Sequence, residues 1–254
     1  MNFPLPNRFD MANAACLIEF AAAAYARTTP EARTIENPST DTRAVFSVNG
    51  EDFIVAFRGT RSLANFVTDV ECRQVRLHLD SEAKVHVGFF VAYEGIREAL
   101  TETLTGLLSG HPDRRVWFTG HSLGGALAKL AALHFTSTLT SVYTFGAPRV
   151  GNGAFRDLYN SQLLARTFRV VHADDVVPRV PWLLGSYRHS GHEVFFPGGK
   201  VNPSLWQKLP SGLIALAREL SQGKIALLAD HHVATYRRLF GTPLNPELNP
   251  LPVL

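Results

Sequence analysis

The stretch VWFTGHSLGGALAKLAALHF, residues 116–135, decides the fold because three kinds of local structure follow one another in it. Residues 116–118 form a short apolar run that is typical of a buried strand. Leu123–Phe135 is rich in alanine and leucine, which favour a helix. The run Gly120–Gly125, GHSLGG, lies between them, so we predict a strand, a tight turn and a helix in direct succession.

Ser122 stands between Gly120 and Gly124 in this turn, with the spacing Gly-x-Ser-x-Gly. The triplet alone is weak evidence, since residues this common produce it by chance in about one chain in ten of this length. A sharp turn from strand to helix, however, would expose the serine oxygen above the sheet edge and leave no room for side chains at the glycine positions. Ser122 is therefore a candidate nucleophile, with an ordinary structural turn as the alternative.

The N-terminal part of the chain predicts two further elements. Asp10–Arg27 is alanine-rich and contains no glycine or proline, so it is expected to form a helix that Asp10 could cap. The dipeptide Asn49-Gly50 separates two apolar runs, residues 44–48 and 53–57, and this arrangement is typical of a β-hairpin.

Beyond the Ser122 turn, residues 141–145 and 167–172 are each predicted to form a strand. Strands that alternate with helices favour an α/β fold with a mainly parallel central sheet flanked by helices. We find no internal repeat or linker, so residues 1–254 are predicted to form a single domain. Residues 241–254 contain four prolines and are expected to form an extended tail.

The composition excludes several classes of protein. With 46% hydrophobic and 19% charged residues the chain can bury a sizeable core, and its net charge of +3 is spread too evenly to suggest nucleic-acid binding. Cys16 and Cys72 imply no disulfide framework. Neither a transmembrane segment nor a signal peptide is apparent, so the cytoplasm is slightly favoured over secretion.

A serine nucleophile needs a histidine base and an acid that orients the histidine, in the chain order Ser, Asp or Glu, His for an α/β-hydrolase fold. Asp174 and Asp175 follow a predicted strand at the sheet edge, although two aspartates there could also merely start a turn. The candidate bases are His172, His189, His192, His231 and His232.

His189 and His192 have a spacing that also occurs in metal sites. Their segment, YRHSGHEVFF, is predicted to be a strand, which would direct the two rings to opposite faces, so we expect no metal site. His231 and His232 precede a predicted final helix and could reach back across the sheet edge.

Taken together, the motifs resemble the class 3 lipase family, which includes the secreted filamentous-fungal triacylglycerol lipases. They occur in the family's order and approximate spacing over about Ala44–Phe240, and they are FIVAFRGT (53–60), GHSLGGALA (120–128), FGAPRVGN (145–152), DDVVPRVP (174–181) and DHHVATY (230–236). The lack of a signal peptide and of paired cysteines makes the chain look nearer to bacterial or intracellular members.

The resemblance implies an α/β-hydrolase fold and a catalytic triad of Ser122, Asp175 and His231. It further implies an oxyanion hole formed by the backbone N–H of Leu123 and by the backbone and hydroxyl of Thr60. No metal or organic cofactor is expected.

The segment after Thr60, residues 61–71, is a candidate lid helix. Its apolar side chains fall at i, i+3, i+4 and i+7, on one helical face, and they are Leu63, Phe66, Val67 and Val70. Periodicity alone favours a surface helix packed on the core over a lid. The resemblance favours a lid, since the family has one at this position.

The expected function is hydrolysis of triacylglycerols through an acyl-serine intermediate, at a lipid–water interface. Phospholipase A1 activity or hydrolysis of small soluble esters could use the same site. A lipase-like scaffold without turnover is the alternative of another class, and it is disfavoured because all three triad positions are filled.

Overall fold

The computed structural model describes residues 8–26, 33–59, 73–111, 113–137, 139–172, 175–181, 186–197 and 231–241. The predicted lid, residues 61–71, lies outside the described residues, and so do Thr60, Cys72 and the tail from residue 242 onward.

Five helices and eleven strands are described. The helices are α1 (Met11–Ala23), α2 (Val87–Ser109), α3 (Leu123–His134), α4 (Gly153–Leu163) and α5 (Val233–Leu239). The strands are β1 (Arg33–Asn37), β2 (Thr42–Asn49), β3 (Asp52–Phe57), β4 (Gln74–Arg76), β5 (Lys84–His86), β6 (Arg115–His121), β7 (Thr140–Phe145), β8 (Gly151–Asn152), β9 (Thr167–His172), β10 (Tyr187–Arg188) and β11 (His192–Phe196). Short 3₁₀ turns cover Leu164–Arg166 and Val177–Arg179.

The central sheet has seven strands in the order β1-β2-β3-β6-β7-β9-β11. The first three strands pair in antiparallel fashion, and from β3 to β11 every pairing is parallel. The predicted hairpin is present as β2 and β3, with Gly50 at φ +62° in the turn. The prediction of a mainly parallel sheet flanked by helices is confirmed.

Helices cover both faces of the sheet. Successive strand residues point to opposite sides, so neighbouring residues pack against different helices. Ile54, Trp117 and Tyr143 pack on the side of α1 and α5, whereas their neighbours Val55 and Phe118 pack on the side of α2 and α3. The predicted N-terminal helix is α1, and Asp10 caps it by accepting a hydrogen bond from Asn13 N (2.7 Å).

Two features differ from the sequence-based expectations. A second, four-stranded sheet of very short strands, in the order β10-β8-β5-β4, was not predicted. The segment YRHSGHEVFF was predicted as one strand, and this is wrong: Gly191 at φ +82° separates β10, which pairs with β8, from β11, which pairs with β9.

Cys16 is a free thiol, partly buried on α1, and burial raises its pKa to about 11. Among the residues that the structure describes, no helix is both long and apolar enough to cross a membrane.

Candidate active site

Ser122 occupies the sharp turn between β6 and α3. Its backbone has φ 61° and ψ −130°, a left-handed conformation that non-glycine residues rarely adopt and that costs of order 1–3 kcal/mol. The Ser122 N–H donates to Phe145 O at the end of β7 (2.9 Å), and Ser122 O accepts from Gly125 N (2.9 Å). These bonds hold the strained turn in place.

The glycines around Ser122 allow β3, β6 and α3 to approach closely. A Cβ at Gly120 would lie 2.3 Å from the carbonyl carbon of Gly124, and a Cβ at Gly124 would lie 2.1 Å from Phe57 O. Side chains at either position would therefore collide with the backbone. This lack of room at both glycines was predicted from the sequence.

Asp175 lies in the loop after β9 and is fully buried. Three donors surround its carboxylate. The Val177 N–H donates to Oδ1 (2.9 Å), the Tyr236 hydroxyl donates to Oδ2 (2.5 Å), and His231 Nδ1 lies 2.8 Å from Oδ2 and 2.9 Å from Oδ1. A buried carboxylate with this many partners is held in one orientation.

His231 lies just before α5, with 1% of its surface exposed. Because a carboxylate oxygen only accepts, the bond to Asp175 requires that His231 Nδ1 carries the proton. In the neutral ring Nε2 is then left with a free lone pair, and among the described residues this atom has no hydrogen-bond partner. A base that must accept a proton requires this tautomer.

The Ser122 hydroxyl is also buried and without a partner in the described part of the chain. No hydrogen bond joins it to His231 Nε2, but both residues border the carboxyl end of β7. Ser122 N contacts Phe145 O, and a Cβ on the next residue, Gly146, would lie 3.0 Å from His231 Cε1. Nucleophile–base hydrogen bonds commonly tighten only when substrate binds.

A second histidine, His121, packs against His231, with ring centroids 4.5 Å apart. His121 Nε2 lies 2.6 Å from the main-chain oxygen of His231, and the Tyr25 hydroxyl lies 3.0 Å from His121 Nδ1. Burial, together with the nearby His231, lowers the pKa of His121 well below its usual value, so this ring is neutral at physiological pH.

The structure therefore brings together Ser122, Asp175 and His231 from three distant parts of the sequence. Leu123, the first residue of α3, presents its N–H at the helix N-terminus beside Ser122. Thr60, the lid residues and Asp174 lie outside the described residues.

The side chains of the other candidate bases form no hydrogen bond with Asp175 in the described part of the chain; only the carbonyl oxygen of His172 does, by accepting from the Asp175 N–H (3.0 Å). His189 Nε2 lies 2.6 Å from Pro178 O, the His172 backbone N–H donates to the Tyr236 hydroxyl (3.2 Å), and His192 and His232 are exposed. Of these candidates, His231 is the one whose ring is hydrogen-bonded to Asp175 among the described residues.

The sequence-based reasoning did not assign a role to Tyr25, His121 or Tyr236. For Tyr236 the sequence offers a clue, because this residue is the final tyrosine of the motif DHHVATY. Tyr25 is separated from His121 by 96 positions, and no local pattern connects them.

Comparisons with known proteins find similarity to lipases. The sequence model described as Lipase (class 3) matches residues 54–184. The secreted mono- and diacylglycerol lipase 1 of Fusarium solani is 33% identical over 154 residues, which cover 60% of this chain and 46% of that protein. The chain thus spans less than half the length of this curated relative.

Two solved structures are also similar. A lipase from Rhizopus microsporus var. chinensis has a TM-score of 0.68 at 29% identity, covering 76% of this chain and 78% of that one. A triacylglycerol lipase whose catalytic centre is described as a serine protease triad has a TM-score of 0.68 at 28% identity, covering 73% and 79%.

The preference for a cytoplasmic location is wrong. The Fusarium solani relative is named as a secreted enzyme, and this similarity points to secretion instead.

Proposed function

Because this chain belongs to the class 3 lipase family, we propose that it hydrolyses acylglycerol esters through an acyl-serine intermediate. The observation that carries the proposal is the buried Asp175–His231 pair, with its bond of 2.8 Å, beside a strained Ser122 whose hydroxyl has no partner among the described residues.

In the proposed reaction, His231 Nε2 takes the proton of the Ser122 hydroxyl as the serine oxygen attacks the ester carbonyl. Asp175 stabilises the imidazolium that forms and keeps the ring in its orientation. His231 then gives this proton to the departing alcohol. Water, activated by the same nitrogen, hydrolyses the acyl-serine and releases a fatty acid.

The tetrahedral intermediate carries a negative charge on the former carbonyl oxygen. We propose that the backbone N–H of Leu123 and the backbone N–H and hydroxyl of Thr60 hold this oxygen. The position of Leu123 at the start of α3 supports its part, because the helix N-terminus adds a partial positive charge.

We propose triacylglycerol as the preferred substrate class. The similar proteins are a mono- and diacylglycerol lipase and a triacylglycerol lipase, and their names support acylglycerols over phospholipids and small soluble esters.

Residues 61–71 are proposed to act as a lid that covers the site in water and turns its apolar face to lipid at an interface. The face formed by Leu63, Phe66, Val67 and Val70 supports this role. Exposing a few hundred Å² of apolar surface costs several kcal/mol at about 25 cal/mol per Å², and contact with lipid offsets that cost.

The proposal is tested by titrating the fatty acid released from emulsified tributyrin and triolein, from phosphatidylcholine vesicles, and from soluble p-nitrophenyl butyrate. Wild type should release acid fastest from the acylglycerol emulsions. Ser122→Ala should release none above background, whereas Ser161→Ala, which removes an exposed hydroxyl on α4, should match wild type. Equal rates for Ser122→Ala and wild type would overturn the proposal.

The lid is tested by following the tributyrin rate through the solubility limit. A steep rise at that limit is expected if an interface opens the lid. A smooth saturation curve through it would contradict the lid while leaving the hydrolytic function intact.

A further inference from the structure

Two polar side chains behind the site have no role in the proposed reaction. Tyr25 follows α1, and His121 is the last residue of β6, directly before Ser122. Only 4% of His121 is exposed, yet both of its ring nitrogens have partners. Burying an imidazole is costly unless its hydrogen bonds are made. We therefore infer the role of His121 from its two hydrogen-bond partners.

The two contacts fix one tautomer of His121. His231 O can only accept, so His121 Nε2 must carry the proton that bridges their 2.6 Å separation. Since the ring is neutral, Nδ1 is an acceptor, and the Tyr25 hydroxyl donates to it across 3.0 Å. The chain of donors therefore runs in one direction, from Tyr25 through His121 to the backbone of His231.

The Tyr25 oxygen also has a contact on its other side. Burial raises the pKa of Tyr25, while a hydrogen bond from the backbone of Gly59 acts in the opposite direction, as expected when the Gly59 N–H donates to the phenol oxygen. A Cβ at Gly59 would lie 2.1 Å from this oxygen and 2.7 Å from His121 O, so the three residues meet tightly. Gly59 directly precedes Thr60, the proposed oxyanion residue.

We propose that Tyr25 and His121 are positioning residues for ester hydrolysis: the Tyr25 hydroxyl joins the backbone before Thr60 to His121, and His121 holds the main chain of His231. The inference rests on the proposed function. Asp175 fixes the imidazole of His231 from its side-chain end, and His121 fixes the same residue from its backbone end. Two anchors on one residue restrict rotation of the base about its own side chain.

The proposed role requires that the His121 ring is neutral. During reaction His231 becomes an imidazolium whose ring centroid lies 4.5 Å from that of His121. A second positive charge at this distance would oppose the transition state, whereas a neutral ring whose single proton points to the His231 carbonyl does not.

The first test is a kinetic comparison of matched tyrosine variants. Tyr25→Phe should lower kcat about tenfold with KM changed less than twofold, because the base is misplaced while substrate contacts remain. Tyr159→Phe is the control, since its buried hydroxyl lies 3.0 Å from Thr167 Oγ1 on the far side of the core from this chain of donors. This variant should lose a similar amount of stability and keep the wild-type kcat.

The second test asks whether Tyr25 acts through His121. His121→Gln retains an amide N–H that can donate to His231 O, so it should keep more activity than His121→Leu, which has no donor. In the His121→Leu background, Tyr25→Phe should have no further effect on kcat, because the connection is already broken. Multiplicative effects of the two substitutions, or a Tyr25→Phe kcat within twofold of wild type, would overturn the inference.

The third test does not depend on hydrolysis. In protein labelled with ¹⁵N-histidine, His121 should be neutral with its proton on Nε2 at about pH 7.5. A proton on Nδ1, or an imidazolium, overturns the inference even if the enzyme is active. Absence of Ser122-dependent hydrolysis in wild type would instead overturn the proposed function, and the tautomer would still decide whether the donor chain exists.

Discussion

His231 Nδ1 lies 2.8 Å from Asp175 Oδ2, and both side chains are buried among protein atoms. Asp175 comes from the loop after β9, and His231 comes from the segment before α5, 56 positions later. A charged group buried in this way is stable only when its partners are in place, so the pair is sensitive to the loss of either member.

Asp175→Asn should reduce kcat by about 10³- to 10⁴-fold, because an amide no longer stabilises the imidazolium or fixes the Nδ1–H tautomer of His231. The side-chain shape is almost unchanged, so the far-UV circular dichroism should match wild type. The measurement is kcat on emulsified tributyrin. A loss smaller than tenfold in a folded variant would show that Asp175 does not orient the base.

Tyr236→Phe should have a smaller effect. The hydroxyl that donates to Asp175 Oδ2 (2.5 Å) is lost, while the bond from His231 remains, so we expect kcat to fall about tenfold. The measurement is again kcat on tributyrin, with Tyr159→Phe as the matched control for loss of a buried hydroxyl bond. Equal activity of the two variants would contradict a role for Tyr236 at the acid.

Two glycine-to-alanine substitutions should change stability in opposite directions. Gly124→Ala places a Cβ 2.1 Å from Phe57 O, so β3 and α3 must separate, and we expect a loss of about 3 kcal/mol. Gly106 is exposed on α2, and a Cβ there would meet no described atom within 4 Å, so Gly106→Ala should gain about 0.5–1 kcal/mol. The free energy of unfolding in urea measures both changes. A Gly124→Ala variant as stable as wild type would contradict the tight turn.

The stability of the protein should fall on acidification below about pH 6.5. Burial, and then the nearby cations of Arg169, Lys129 and Arg149, lower the pKa of His189 well below its unfolded value of 6.5. Between these two pKa values the unfolded chain binds a proton that the folded protein does not, so unfolding becomes easier as pH falls. His121 contributes in the same direction.

Each such histidine contributes a slope of at most about 1.4 kcal/mol per pH unit, which is approached once the unfolded imidazole is fully protonated. The measurement is the free energy of unfolding in urea at about pH 6.5 and about pH 5.5. His189→Gln, whose amide can still donate to Pro178 O, should lose about 1 kcal/mol less than wild type over this interval, because the unfolded imidazole is already half protonated at its upper end. An equal loss of unfolding free energy in the two proteins would contradict a neutral His189 in the folded state.

The features that could be predicted from sequence are those with local causes. Asn49-Gly50 specifies a turn that requires a positive φ at Gly50, and Asp10 caps α1 through a residue three positions away. The succession of strand, turn and helix around Ser122 follows from glycines that leave room for close backbone contact.

The features that were missed arise from contacts between distant residues. The four-stranded sheet consists of strands of two or three residues, too short for an alternating pattern to be visible. Gly191 interrupts a segment whose composition is typical of one continuous strand. Tyr25 meets His121 only because α1 packs against β6 in the folded protein.

The central claim, that Ser122 is the nucleophile, is tested most directly by labelling with a fluorophosphonate and locating the adduct by peptide mass spectrometry. We predict a single adduct on Ser122 in wild type, its absence in Ser122→Ala, and labelling slowed at least a hundredfold in His231→Ala. An adduct on another residue, or ester hydrolysis at the wild-type rate in unlabelled Ser122→Ala, would contradict the account.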